Sequence, residues 1–167
     1  MTVPFRIKAF GWRLFHDRLP TKNLLMLRGL TFSLDNINCP LCGSGLESSN
    51  HLFFGCWVSK KVWNEIAWWV AKGDPEEEES LSSFMEWHNF FHQNYVNERR
   101  SGIVWLATTW TLWILRNGVC FRKDNWSVNN TVWNIKELAC RWSFHGKINY
   151  SNYSFYDFVK DPFRFLS

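Results

Sequence analysis

CPLCGSGLESSNHLFFGC, residues 39–56, gathers three of the chain's five cysteines and one of its five histidines into one short run. Written as a spacing it reads C-x2-C-x8-H-x4-C, with Cys39, Cys42, His51 and Cys56 at the marked positions. A zinc ion takes four soft or borderline donors at tetrahedral corners, and a Cys-x-x-Cys turn supplies two thiolates along one edge because two intervening residues let both sulfurs converge. Gly43 and Gly45 follow the first pair and free the backbone to leave it in a tight conformation.

The second pair poses a problem of phase. On an uninterrupted α-helix, His51 and Cys56 would be about 500° apart, on the order of 140° out of register and on different faces. Gly55, just before Cys56, resolves this if the short helix carrying His51 ends there in a left-handed cap and swings Cys56 back. The spacing therefore predicts a helix break at Gly55, followed by a new amphipathic helix from about 57 to 71.

Other uses of these residues are a thioredoxin-like dithiol, a zinc deaminase, a catalytic Cys/His pair, or unconnected core thiols. A redox dithiol sits between a strand and a helix, whereas Cys39 and Cys42 have loop on both sides. A deaminase needs H-x-E ahead of P-C-x-x-C, and here the cysteine pair comes first. Nothing marks one of three clustered cysteines as a nucleophile. Four ligands also leave no open position for water, so a zinc site of this kind organises the fold and performs no chemistry.

The rest of the chain is helical in pattern. Phe5, Ala9, Trp12 and Phe15 fall close to helical spacing, with Arg6, Lys8, Arg13 and Asp17 between them, and Pro20 stops that helix. Thr21 can cap a second short helix ending near Gly29. Residues 31–50 have no period. KGDPEEEES, residues 72–80, reads as an acidic linker. Helices are expected at about 81–92, 97–121 and 128–144, the last opened by Ser127 or Asn129, and Ser154 with Asp157 forms a capping-box-like start before Pro162. No period-two alternation calls for a sheet, so the fold class is mostly α.

Composition bounds the function. With 167 residues, 46% of them hydrophobic, the chain can bury a real core. Twelve Trp and 15 Phe make that core aromatic and leave some rings for the surface. Residues 1–70 hold eight Lys/Arg against four Asp/Glu, residues 71–100 three against seven, and residues 101–167 eight against four. Two mildly basic lobes thus flank an acidic connector, a balance that suits a polyanionic partner. IVWLATTWTLWIL, residues 103–115, is too short for a comfortable bilayer span and reads as a buried helix, so no membrane partner is expected. The N-terminus reaches Arg6, Lys8 and Arg13 without a clean apolar run. An intracellular setting, nucleus or cytoplasm, follows, where clustered cysteines suggest metal before disulfides.

PFRIKAFGWRLFHDRLPTKNLLMLRGL together with NCPLCGSGLESSNHLFFGCWVSKKVW resembles the zinc-binding domain at the C-terminal end of plant non-LTR (LINE-type) retrotransposon reverse transcriptases. The family pattern is carried by Lys8, Trp12, Arg13, Leu14, Arg18, Leu19, Pro20 and Thr21, then by Cys39, Pro40, Cys42, Glu47, Ser48, His51, Leu52, Phe53 and Cys56. WTLWILRNGVCF, residues 110–121, is similar to the segment that follows this domain in such polyproteins. The resemblance implies a small zinc-stabilised helical module at 1–71, the linker at 72–80 and a helical C-terminal region at 81–167, a terminal piece of a larger protein. No Tyr-x-Asp-Asp polymerase motif and no endonuclease is present, and Asp157 and Asp161 make no recognisable acid/base set, so no enzymatic activity and no small-molecule substrate are expected.

The implied role is to help an intact enzyme hold RNA or DNA, with one structural zinc per chain. Lys8, Arg13, Arg18, Lys22, Arg28, Lys60 and Lys61 could track phosphates, and rings such as Trp57 or Trp63 could stack on unpaired bases. At helical spacing with Ile66 and Val70, however, Trp63 is more simply a core residue. Arg116 and Asn117 are expected to satisfy the last carbonyls of the apolar helix. The competing reading is a structural or protein-interaction domain that docks on the polymerase domains of the parent polyprotein without binding nucleic acid.

Overall fold

The structure, a computed structural model, describes residues 3–31, 36–71, 98–144, 154–160 and 162. Six α-helices run through the described residues: α1 (Phe5–Phe15), α2 (Lys22–Leu27), α3 (Trp57–Ala71), α4 (Glu98–Asn117), α5 (Val128–Phe144) and α6 (Phe155–Lys160). Two π-helical turns, His51–Gly55 and Gly118–Arg122, interrupt them, and no strand occurs among the described residues. The helical class expected from the sequence is thus observed. The linker at 72–80 and the helix expected at 81–92 lie outside the described residues.

Local chemistry sets the helix ends. Thr21 accepts a hydrogen bond from the Leu24 amide, as its place before α2 predicts. Gly29, at φ 88°, closes α2 with bonds from Leu30 to the Leu25 carbonyl and from Gly29 to that of Met26. α1 ends earlier than Pro20 requires: Asp17 adopts φ 48°, and the Arg18 amide reaches back to the Arg13 carbonyl. Ser127 caps α5 through the Asn130 amide, and Ser154 and Asp157 bond reciprocally at the start of α6.

Packing runs α1 on α4, α4 on α5, α3 on α5, and α5 on α6. The shared interior is aromatic: Phe10 meets Trp110 edge-on at 5.1 Å, Phe53 lies 6.4 Å from Trp113, and Phe54 stacks on Trp63 at 6.0 Å. Trp63 is fully buried and donates its indole N–H to the Phe53 carbonyl, which makes it a core residue and no stacking platform. Ile103, Val104, Ala107 and Leu112 bury the apolar helix as its sequence implies, with Thr108 and Thr109 bonding back to the Val104 and Trp105 carbonyls.

α1 carries apolar residues on two sides. It buries Ile7, Phe10 and Leu14, whereas Phe5, Trp12 and Phe15 face solvent at 85%, 53% and 64% exposure. Both sets recur at helical spacing, so the helix carries two apolar stripes, and only contact with α4 decides which is covered.

A correction concerns Arg116. Its guanidinium pairs bidentately with Glu47, at 2.9 Å and 3.0 Å, across 69 positions of sequence, and both side chains are buried. It also bonds the Asn117 side chain and lies over the rings of Trp113 and Phe121, at 5.1 Å and 5.7 Å. Its hydrogen bonds go to side chains in place of the helix carbonyls expected from sequence. Burial pushes the Glu47 carboxyl above its ordinary value, and Arg116 only partly offsets that.

Arg116→Met leaves a carboxylate stranded in the interior and is expected to cost about 3–5 kcal/mol in urea unfolding, while Glu47→Leu combined with Arg116→Met should sit near wild-type stability. Without the guanidinium, the folded-state carboxyl titrates still further above its unfolded value. The native form then holds a proton that the unfolded form lacks, so the deficit of Arg116→Met relative to wild type should shrink as pH falls through that window. A small deficit that ignores pH would mean that Glu47 is solvated.

Candidate metal centre

The cysteine loop is built around two left-handed glycines. After Cys39-Pro-Leu-Cys42, Gly43 and Gly45 both take φ 71°. The Gly43 amide bonds the Cys39 carbonyl, the Cys39 amide bonds the Gly45 carbonyl, and Asn38 and Leu46 form an isolated antiparallel bridge that closes the loop. Lys22 reaches in from α2 and donates its ammonium to the Asn38 carbonyl at 2.8 Å. Ser48 caps the next segment, accepting from the His51 amide on its hydroxyl and from the Leu52 amide on its carbonyl.

The break expected at Gly55 is present, but a different device makes it. Gly55 has no positive φ; the turn is π-helical, and the Cys56 amide bonds the His51 carbonyl at 2.6 Å. An i→i+5 bond makes five residues roughly one full turn. His51 and Cys56 therefore come into phase without a left-handed cap. Cys56 then turns extended, at φ −68° and ψ 132°, before α3 begins.

All four donors meet. Ligand atoms of Cys39, Cys42, His51 and Cys56 lie within 4.8 Å of one another. The Cys39 and Cys56 sulfurs are 4.0 Å apart, and Cys42 Sγ is 3.3 Å from His51 Nε2. Tetrahedral zinc with ordinary bond lengths puts two sulfurs about 3.8 Å apart and a sulfur and nitrogen about 3.6 Å apart. The residues present fit that ion, and three sulfurs with one imidazole match its preferred donor set. Leu41, Leu52, Phe53 and Phe54 bury the sequence around the cluster, while Cys42 and His51 stay half-buried at its outer edge.

Two of the sulfurs lie buried against each other and are hard to ionise together. The hydrogen bond between the two thiols, then burial, pushes Cys39 up, while the same bond brings Cys56 down to about 5. These opposite directions describe one shared proton: Cys39 keeps it and Cys56 accepts the bond. Ionising both in so buried a place is opposed by desolvation and mutual repulsion, and a bound divalent ion removes that opposition.

The surface cations are distributed unevenly. Lys8, Arg13 and Arg18 are exposed on or just after α1, and the Arg18 guanidinium lies 5.2 Å from the centre of the Trp12 ring. Lys61 is exposed on α3 over Trp57, at 5.0 Å, and Lys60 is half-buried. Lys22 is different from the rest: buried and bonded to Asn38, it braces the cysteine loop and does not face solvent. Sequence reasoning passed over Glu47 and Ser48 as structural parts of the site, although both stand in the E-S-x-x-H run whose serine caps the histidine turn.

Gly45 and Gly55 separate by substitution. A Cβ on Gly45 would meet His51 Cε1 at 3.3 Å in a left-handed backbone, whereas one on Gly55 would find only ordinary contacts from 3.7 Å. In a chelator competition, Gly45→Ala is expected to weaken metal retention roughly tenfold or more, and Gly55→Ala to keep it. Equal retention by both variants would show that the left-handed turn does not position His51.

The family comparison agrees with this geometry where it applies. No curated protein and no solved structure matches the chain. Residues 1–63, from the N-terminus into α3, match the family model described as zinc-binding in reverse transcriptase.

Proposed function

We propose that residues 1–71 are a structural-zinc module of the kind found in plant LINE-type reverse transcriptases, linked through residues 72–80 to a helical region at 81–167. It holds one zinc per chain through Cys39, Cys42, His51 and Cys56, has no catalysis of its own, and binds RNA or DNA without sequence preference. The observation that carries the zinc reading is the convergence of four donors within 4.8 Å. With four protein ligands the ion has no open position for a water, so its contribution is to hold the loop in place.

Nucleic-acid binding is supported by the exposed cations Lys8, Arg13, Arg18 and Lys61, two of which lie over exposed indoles. Lys60 flanks Lys61, and Lys22 contributes only by bracing the loop. No described helix is long and apolar enough to cross a membrane. The second reading, docking on polymerase domains, is favoured by one observation: Leu27, at 76% exposure, with Leu30 and Met26, places aliphatic surface beside α2 that bases cannot stack on.

Metal analysis of the purified chain should give close to one zinc, lost in Cys39→Ser and in His51→Ala. Titration of single-stranded RNA by the zinc-loaded chain should weaken about 50-fold between roughly 50 and 200 mM salt if four phosphates are neutralised. Lys8→Ala or Arg13→Ala should flatten that slope by about one phosphate's share. Binding that ignores salt, or no binding together with self-association through the aliphatic patch, would decide for docking.

A further inference from the structure

We infer that the outward stripe of α1 is a stacking platform for unpaired bases, so that the nucleic acid held by this module is single-stranded. The inference rests on the nucleic-acid reading above. Phe5, Lys8, Trp12 and Phe15 follow one another at steps of three, four and three residues, which lines them along one side of the helix over about 15 Å. All four are exposed, and they lie opposite the buried Ile7, Phe10 and Leu14.

Trp12 is held in place before any ligand arrives. His16 lies against it with ring centroids 4.6 Å apart, Arg18 stands over it at 5.2 Å, and half of its surface still faces solvent. A ring fixed in this way stacks at little further cost in conformational entropy.

Charge identifies the occupant. Between Phe5 and Arg18 the exposed charged residues are Arg6, Lys8, Arg13, Asp17 and Arg18, four positive and one negative. Lys8 sits inside the aromatic line itself. Lysine is depleted from the cores of protein–protein interfaces, whereas a strand that alternates base and phosphate needs rings and cations together. A duplex keeps its base faces stacked on one another and offers this stripe only backbone and groove edges. A single strand can lay bases on Trp12, Phe5 and Phe15 while its phosphates meet Lys8, Arg13, Arg6 and Arg18.

The test uses the zinc-loaded full chain with a fluorescein-labelled 12-nucleotide oligouridine and a 12-base-pair RNA duplex, followed by anisotropy. Trp12→Ala is expected to weaken oligouridine binding at least about fivefold, to leave duplex affinity and the salt slope unchanged, and to keep full zinc content; Trp12→Phe should recover most of the loss. Phe5→Ala should act in the same direction. If Trp12→Ala lowers duplex and single-strand affinity alike, or neither, while wild-type binding remains salt-sensitive, the platform is overturned and nucleic-acid binding stands. If the wild type binds neither probe, both readings fail. Trp12→Ala abolishing self-association without touching oligouridine affinity would assign the stripe to a protein partner and overturn the inference.

Discussion

The fold turns on a carboxylate that water cannot reach. Glu47 sits in the interior with both oxygens committed to Arg116, and the guanidinium is itself enclosed by Trp113 and Phe121. Burial works against this carboxylate, since its titration moves upward despite the partner. Pairs of this kind add little net stability over an apolar replacement, but losing one partner strands a buried charge, so an arrangement that keeps both residues must keep them together. Here the arrangement fixed is the position of the cysteine loop on α4. Glu47 precedes Ser48, which caps the turn that presents His51, so the carboxylate and a metal donor share one short backbone segment. The Glu47 carbonyl also accepts the Asn23 amide, which ties α2 to that segment.

From that anchor the donor cluster follows. The loop between Cys39 and Leu46 is too short for regular structure and is held by two left-handed glycines, a bridge and the Lys22 ammonium. The π-helical turn then does what an α-helix cannot: it returns the chain to the same side after five residues. Phe53 and Phe54 drive into the core on that turn, so hydrophobic burial and donor convergence require the same backbone path. A metal bound there would find its four donors already near their places, and folding of the loop would be coupled to its affinity.

What could be read from the sequence was local or strongly patterned. The Thr21, Ser127 and Ser154 caps act within three residues, and the cysteine spacing is meaningful because a Cys-x-x-Cys turn converges whatever surrounds it. The apolar run at 103–115 was legible as a buried helix for the same reason. Choices among equivalents were not legible. α1 carries Ile7, Phe10 and Leu14 on one side and Phe5, Trp12 and Phe15 on the other, and periodicity scores both alike. Gly55 suggested a left-handed cap because glycine usually provides one at a helix end, but an i→i+5 bond supplied the same change of direction. The Glu47–Arg116 pair joins residues 69 apart, and nothing in either neighbourhood announces the other.

The two stripes of α1 differ in kind. Ile7, Phe10 and Leu14 are aliphatic or edge-packed and fill space against α4, while the outer residues are large, flat and flanked by cations. Exposing such rings to water carries a hydrophobic cost, and Arg18 and His16 lower it by covering part of Trp12 without hiding the rest. A metal held by all four donors would have no open position through which to act on another molecule. Any effect of such an ion on the rest of the chain passes through position: the loop, Lys22 and α2 hold the chain after α1, and α4 packs against α1 from beneath, so the outer stripe lies on a supported helix.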